Sequence, residues 1–155
     1  MSGGELPAIE PEAPEAVQIA EFIGLPRPKT FSPMKLADTI RAGMPLAAVR
    51  NVVRRVDPLG AVVNVYDFVP KATLNRRAKD RKKLSRDVSE KLWQVARVYV
   101  EAQRQYGDDA EARAFLSRPH PLLDNRTPLE VAKETVAGTD LVLKLLAQAE
   151  AGVAV

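Results

Sequence analysis

Apolar residues recur along most of this chain at intervals of three and four, the spacing of one face of an α-helix. In FSPMKLADTIRAGMP that spacing aligns Leu36, Ala37 and Ile40. Ser32 before them is a good N-cap, Pro33 suits the first helical position and Gly43 marks the stop. PLAAVRNVVRRVDP predicts a helix that starts at Pro45 and ends at Asp57 and Pro58. It buries Leu46, Val49, Val53 and Val56 and leaves Arg50, Arg54 and Arg55 outside. Pro70 opens a basic helix in PKATLNRRAKDRKKL. Ser85 caps a long helix to Tyr106, closed by Gly107, whose buried stripe is Val88, Leu92, Val95, Ala96 and Tyr99, with Trp93 just beside it. Asp108 or Asp109 caps AEARAFLSR. After the loop PHPLLDN, Thr127, Pro128 and Glu130 form a capping box. Gly138 is predicted to end that helix and Thr139 to cap the last one. The last helix has Leu141, Leu145 and Ala149 on one apolar side and Val142 and Leu146 on another, with Gly152 as its stop.

Two stretches break the pattern. Residues 1–15 are rich in Pro, Glu, Ala and Gly, and they lack the apolar surface that would offset ordering them, so they are expected to be disordered. A short helix over Ala16–Ile23 follows, broken by GLPRPKT. LGAVVNVYDFVP alternates like a strand, but no second strand exists to pair with it, so a short, poor helix is expected there. The chain therefore reads as all-α, with seven or eight helices. It divides into a disordered acidic tail over residues 1–15, a helix-turn-helix-like domain over 16–84 and a further helical region over 85–155.

Composition narrows the chemistry. Hydrophobic residues are 46% of the 155 but aromatics only 5%, so the core is built mainly from Leu, Val and Ala, which favours helices packed on helices. With no cysteine there is no disulfide scaffold, thiol nucleophile or Cys-based metal site. The single histidine, His120, lies between prolines and reads as a turn residue. No glycine-rich phosphate loop occurs. No catalytic site, metal or cofactor is expected. No apolar run reaches the roughly 18 residues of a membrane span, and the acidic N-terminus is unlike a signal peptide, so a cytoplasmic protein is expected.

Charge is uneven. Residues 71–104 carry eleven basic and four acidic side chains, while residues 1–15 carry four acidic and no basic ones. A basic helix following two helices and a turn fits helix-turn-helix logic. Thr73 and Asn75 would meet base edges, and Lys71, Arg76, Arg77 and Lys79 would meet phosphates. A solvated basic face with no ligand is the other reading. The last thirty residues are more apolar than a small surface helix needs. They either complete a core or homodimer face, or enter a partner. The end AGVAV is expected to be presented by the capped helix ahead of it.

The segment from GMPLAAVRNVVRRVDP, and then from TLNRR to the end, resembles the Xre/MbcA/ParS antitoxin family over about residues 43–155. The specific part is an ordered combination: a long helix ending in YG, the helix EARAFL, the turn RPHPLLDNRTPLE, and a closing helix ending in GVAV. The resemblance implies an Xre-like helix-turn-helix bundle followed by a small toxin-binding region. It implies a homodimer that binds operator DNA and a partner toxin with a RES domain, a fold related to ADP-ribosyltransferases that consumes NAD or transfers from it. Thr139–Val155 would enter the toxin's NAD cleft, with Gly152, Val153, Ala154 and Val155 at the tip. Arg126, Leu141, Lys144, Leu145 and Gln148 would complete the toxin contact, and the turn Arg126–Glu130 would orient it. A sequence-specific repressor without a toxin partner is the alternative.

Overall fold

The computed structural model describes residues 6–150 and Gly152. Among these, eight α-helices and three 3₁₀ turns form all the regular structure apart from one isolated bridge between His120 and Arg126. The helices are α1 (Glu15–Ile23), α2 (Pro33–Ala42), α3 (Ala47–Val56), α4 (Lys71–Lys79), α5 (Arg86–Tyr106), α6 (Asp109–Ser117), α7 (Pro128–Glu134) and α8 (Val136–Glu150). The chain divides into two compact units between Trp93 and Gln94, inside α5.

In the first unit α1 is the centre, buried on every side from Ala16 to Ile23 and packed on α2 and α3. Two polar residues on it, Gln18 and Glu21, are buried too, and their partners explain why. Glu21 Oε1 accepts the Glu10 N–H at 2.9 Å, and Gln18 Nε2 donates to the carbonyls of Glu10 (2.8 Å) and Pro11 (3.1 Å). Arg55 donates to the carbonyls of Glu21 (2.9 Å), Phe22 (3.2 Å) and Pro7. The acidic segment expected to be disordered is therefore held to α1 and α3 at Pro7, Glu10 and Pro11. Side-chain hydrogen bonds supply what its apolar content does not. Residues 1–5 lie outside the described residues.

The cap of α2 is as expected, with Ser32 Oγ accepting from Lys35 N at 3.1 Å. The stripe of α3 differs from expectation. It buries Ala48, Val49, Val52 and Val56, while Val53 and Leu46 are half-buried. The helix turns Asn51 and Arg55 towards α1, where Asn51 Nδ2 reaches the Ile23 carbonyl at 3.0 Å, so Arg55 is not a solvent-facing residue.

LGAVVNVYDFVP forms neither a helix nor a strand. Only Val65–Asp67 is regular, as a 3₁₀ turn, and a carboxylate organises what precedes it. Asp57 accepts from the N–H groups of Ala61, Val62 and Val63 at 3.1, 2.6 and 2.7 Å. Desolvation pushes the Asp57 carboxyl up, but the backbone N–H groups of Val63, Val62, Ala61 and Gly60 together outweigh it and hold the carboxyl below the ordinary range.

In the second unit the rest of α5 supplies buried Val95, Ala96, Val98, Tyr99, Val100 and Ala102. Asp108 caps α6, accepting from Ala110 N at 2.7 Å. The neighbouring Asp109 accepts from the Tyr99 hydroxyl at 2.7 Å, and burial together with that carboxylate pushes the phenol well above its ordinary value. His120 serves the turn Pro121–Leu123, its Nδ1 accepting from Leu122 N at 3.1 Å. Helices α7 and α8 form a close pair.

Candidate functional site

The α7–α8 corner departs from its expected form. Gly138 does not end α7 and Thr139 does not cap α8. α7 stops at Glu134, and Thr135 caps α8 by accepting the Gly138 N–H at 2.8 Å. Gly138 lies inside the first turn of α8, where a Cβ would come within 2.1 Å of the Val131 carbonyl oxygen. Its missing side chain lets the two helices cross backbone to backbone, a packing role that resembles a stop signal in sequence. Thr139 is buried, and its hydroxyl donates to the Ala132 carbonyl at 2.9 Å. Gln94 Nε2 donates to the same carbonyl at 2.7 Å.

The far end of α8 is held separately. Gln105 Nε2 donates to the Leu146 carbonyl at 2.7 Å, and Arg104 lies 3.4 Å from Glu150. Gly152, at φ +83°, sits where only a residue without Cβ is unstrained, and its N–H returns to the Ala149 carbonyl at 3.1 Å. Between these fixings Val142, Leu145 and Leu146 face the core. Leu141, Lys144 and Gln148 lie on the outer surface at i, i+3 and i+7, and Leu141 is 43% exposed.

Of the residues expected to contact a toxin, these three, Gly152 and Arg126 are exposed. Leu145 is only 3% exposed, so it supports the outer face from beneath. Arg126 is exposed and 3.6 Å from Glu134. It precedes a capping box complete in both directions, Glu130 N to Thr127 Oγ1 at 3.1 Å and Thr127 N to Glu130 Oε1 at 3.0 Å. Those bonds from the Thr127 backbone and hydroxyl hold the Glu130 carboxyl below its usual range. Val153, Ala154 and Val155 lie outside the described residues.

In the first unit, α4 buries only Leu74. Lys71, Asn75, Arg76 and Lys79 are exposed, clustered away from Leu74, and Thr73 is half-buried. Arg77 has another use: its Nη1 donates to the Lys83 carbonyl at 2.7 Å and fastens the turn after the helix. The described residues contain no cluster of His, Cys, Asp and Glu able to hold a metal, and no helix long and apolar enough to cross a membrane.

One unit presents a small basic helix, and the other a braced helix with an outward face. Comparison with protein families assigns a domain to each part of the chain. Residues 35–97 match the antitoxin Xre-like helix-turn-helix domain, and residues 101–152 match the antitoxin Xre/MbcA/ParS C-terminal toxin-binding domain. The chain belongs to the Xre/MbcA/ParS antitoxin family, and a toxin protein is its partner. No curated protein matches the chain at a significant level.

Proposed function

We propose that this antitoxin neutralises a RES-domain toxin, of the kind that consumes NAD or transfers ADP-ribose from it, by occupying the NAD site. In this reading α8 carries Gly152, Val153, Ala154 and Val155 into the nucleotide cleft. Leu141, Lys144 and Gln148 rest on the cleft's rim, Leu145 backs them, and Arg126 sets the angle from the turn before α7. The observation that carries the reading is α8 itself, held at Thr139 and at Leu146 within the region that matches a toxin-binding domain. A helix fixed at two points loses little conformational freedom when it docks, so more of its contact energy goes into affinity. Within the family the reading lies nearest to ParS, and the site of action is the cytoplasm.

The test is removal of Gly152–Val155. The shortened protein is expected to keep its helical circular dichroism and unfolding temperature yet fail to restore growth to cells expressing the toxin. Full neutralisation by the shortened protein would refute the insertion mechanism. A RES-domain reading frame adjacent to the gene is the expected genomic context.

The exposed basic face of α4 favours a second activity, binding of operator DNA by a homodimer. Lys71, Arg76 and Lys79 would meet phosphates, and Asn75, with Thr73 beside it, a base edge. Arg77 would act mainly by shaping the following turn. Salt-sensitive binding to the upstream DNA is expected, and absence of binding at low salt would remove this activity. If DNA binds while no toxin does, the protein is a repressor alone.

A further inference from the structure

The first unit contains a cavity of about 420 Å³, within the range of small-molecule sites. Its walls are apolar and partly aromatic: Phe31, Leu36, Ile40 and Trp93. Pro14 and Phe31 precede the stretch 35–97 that matches the helix-turn-helix family, and Leu36, Ile40 and Trp93 lie within it.

Two charged residues on one face of α5, Arg86 and Glu90, also line it. They are one helical turn apart, close enough to pair. No ion pair within 4 Å involves either of them among the described residues. Their order helps explain this, because a cation N-terminal to an anion is the weaker arrangement on a helix. Arg86 is moreover the first residue of α5, where the helix dipole disfavours positive charge. Glu90 is half-buried beside an apolar wall, where a carboxylate gains from a cation. The other cation at the rim, Arg41, is already held by Asp38 at 2.8 Å, and Glu15 adds a second, exposed carboxylate. The cavity is thus lined by two aromatic side chains and, one helical turn apart on α5, by a positive and a negative group without ion-pair partners.

We propose that this cavity binds a small zwitterion with an apolar side group, that is, a free aromatic or large aliphatic α-amino acid. Its carboxylate sits on Arg86, its ammonium group on Glu90, and its side chain between Phe31 and Trp93. An α-amino acid carries its two charges on adjacent groups at one end of an apolar body, which matches the order of partners here. The inference concerns the first unit alone and does not depend on the toxin mechanism.

Trp93 is the only tryptophan, so its fluorescence reports on the cavity without a label. Titration of the full chain with L-phenylalanine is expected to change Trp93 emission saturably and to raise the unfolding temperature. N-acetyl-L-phenylalanine lacks the cation and phenethylamine lacks the carboxylate, and each is expected to bind about tenfold more weakly, the loss of one charge-assisted contact. Glycine lacks the apolar body and is expected not to bind. Arg86 is exposed and Glu90 half-buried, neither with an ion-pair partner among the described residues, so Arg86→Gln and Glu90→Gln should both fold normally. Arg86→Gln should bring L-phenylalanine down to the level of phenethylamine, and Glu90→Gln down to that of the acetylated analogue. Equal binding of all three aromatic compounds would overturn the proposal, leaving only an apolar slot. No saturable change up to the solubility of L-phenylalanine would overturn it as well. So would Trp93 emission that responds to protein dilution but not to the amino acid, which would assign the cavity to contact between two copies.

Discussion

The two helices proposed to meet partners are built in opposite ways. α4 buries one side chain, Leu74, and spends its surface on Lys71, Asn75, Arg76 and Lys79. α8 buries five residues, crosses α7 at Gly138 without an intervening side chain, and is fastened by a hydrogen bond from Thr139 to α7 and one from α5 to the Leu146 carbonyl. A polyanion is recognised over distance by charge and tolerates a loosely supported reader. Filling a cleft needs a definite direction of approach, and a helix can supply one only if its position is over-determined. On the proposed function, the difference between the helices matches the different demands of operator DNA and a toxin cleft.

Mutations that strike the support of each helix sharpen this contrast. The largest effect is expected from Leu146→Ala. The side chain is fully buried, and its removal should cost about 2–5 kcal/mol in urea unfolding and sharply reduce neutralisation. Gly138→Val comes next: the added carbons meet the Val131 carbonyl, α7 and α8 must part, and about 1–3 kcal/mol should be lost. Thr127→Ala removes half of the capping box and should cost about 1 kcal/mol. Arg76→Ala should change stability by less than about 0.5 kcal/mol. It should weaken operator binding evenly across sequences and lower the salt slope by about 1. If Leu146→Ala proves no more costly than Arg76→Ala, the contrast between braced and displayed helices fails.

The smallest effect is one of pH. The Glu130 carboxyl is depressed in the folded state, so its contribution is present above the ordinary glutamate range and is lost as pH falls through the depressed value. Unfolding followed from neutral to acid pH should show a shallower decline in Glu130→Gln than in the parent. Parallel curves would mean that the box adds nothing electrostatic.

Much of this was legible in the sequence because it was local. Caps at Ser32, Ser85, Asp108 and Thr127 depend on residues three positions apart or fewer, and all four appear as hydrogen bonds. The stripe of α5 reads directly from its spacing. What escaped depends on partners distant in the chain. Gly138 looks like a stop until Val131 is seen beneath it. Residues 7–11 look too polar to fold until Gln18, Glu21 and Arg55 are found to bind their backbone. LGAVVNVYDFVP misleads because Asp57 offers its N–H groups an alternative to both helix and strand. Of the proposed toxin contacts, outward Leu141 and inward Leu145 share one apolar row in the sequence, and only packing separates them.

The central claim is that α8 and the residues after it block NAD entry, and competition tests it most directly. Affinity of the full chain for a catalytically dead toxin that still binds NAD should be measured at increasing NAD concentration. The account predicts that apparent affinity falls in proportion to NAD once its own site is saturated, and that the chain lacking Gly152–Val155 shows little such dependence. Affinity of the full chain that is independent of NAD would contradict occlusion and place inhibition elsewhere on the toxin.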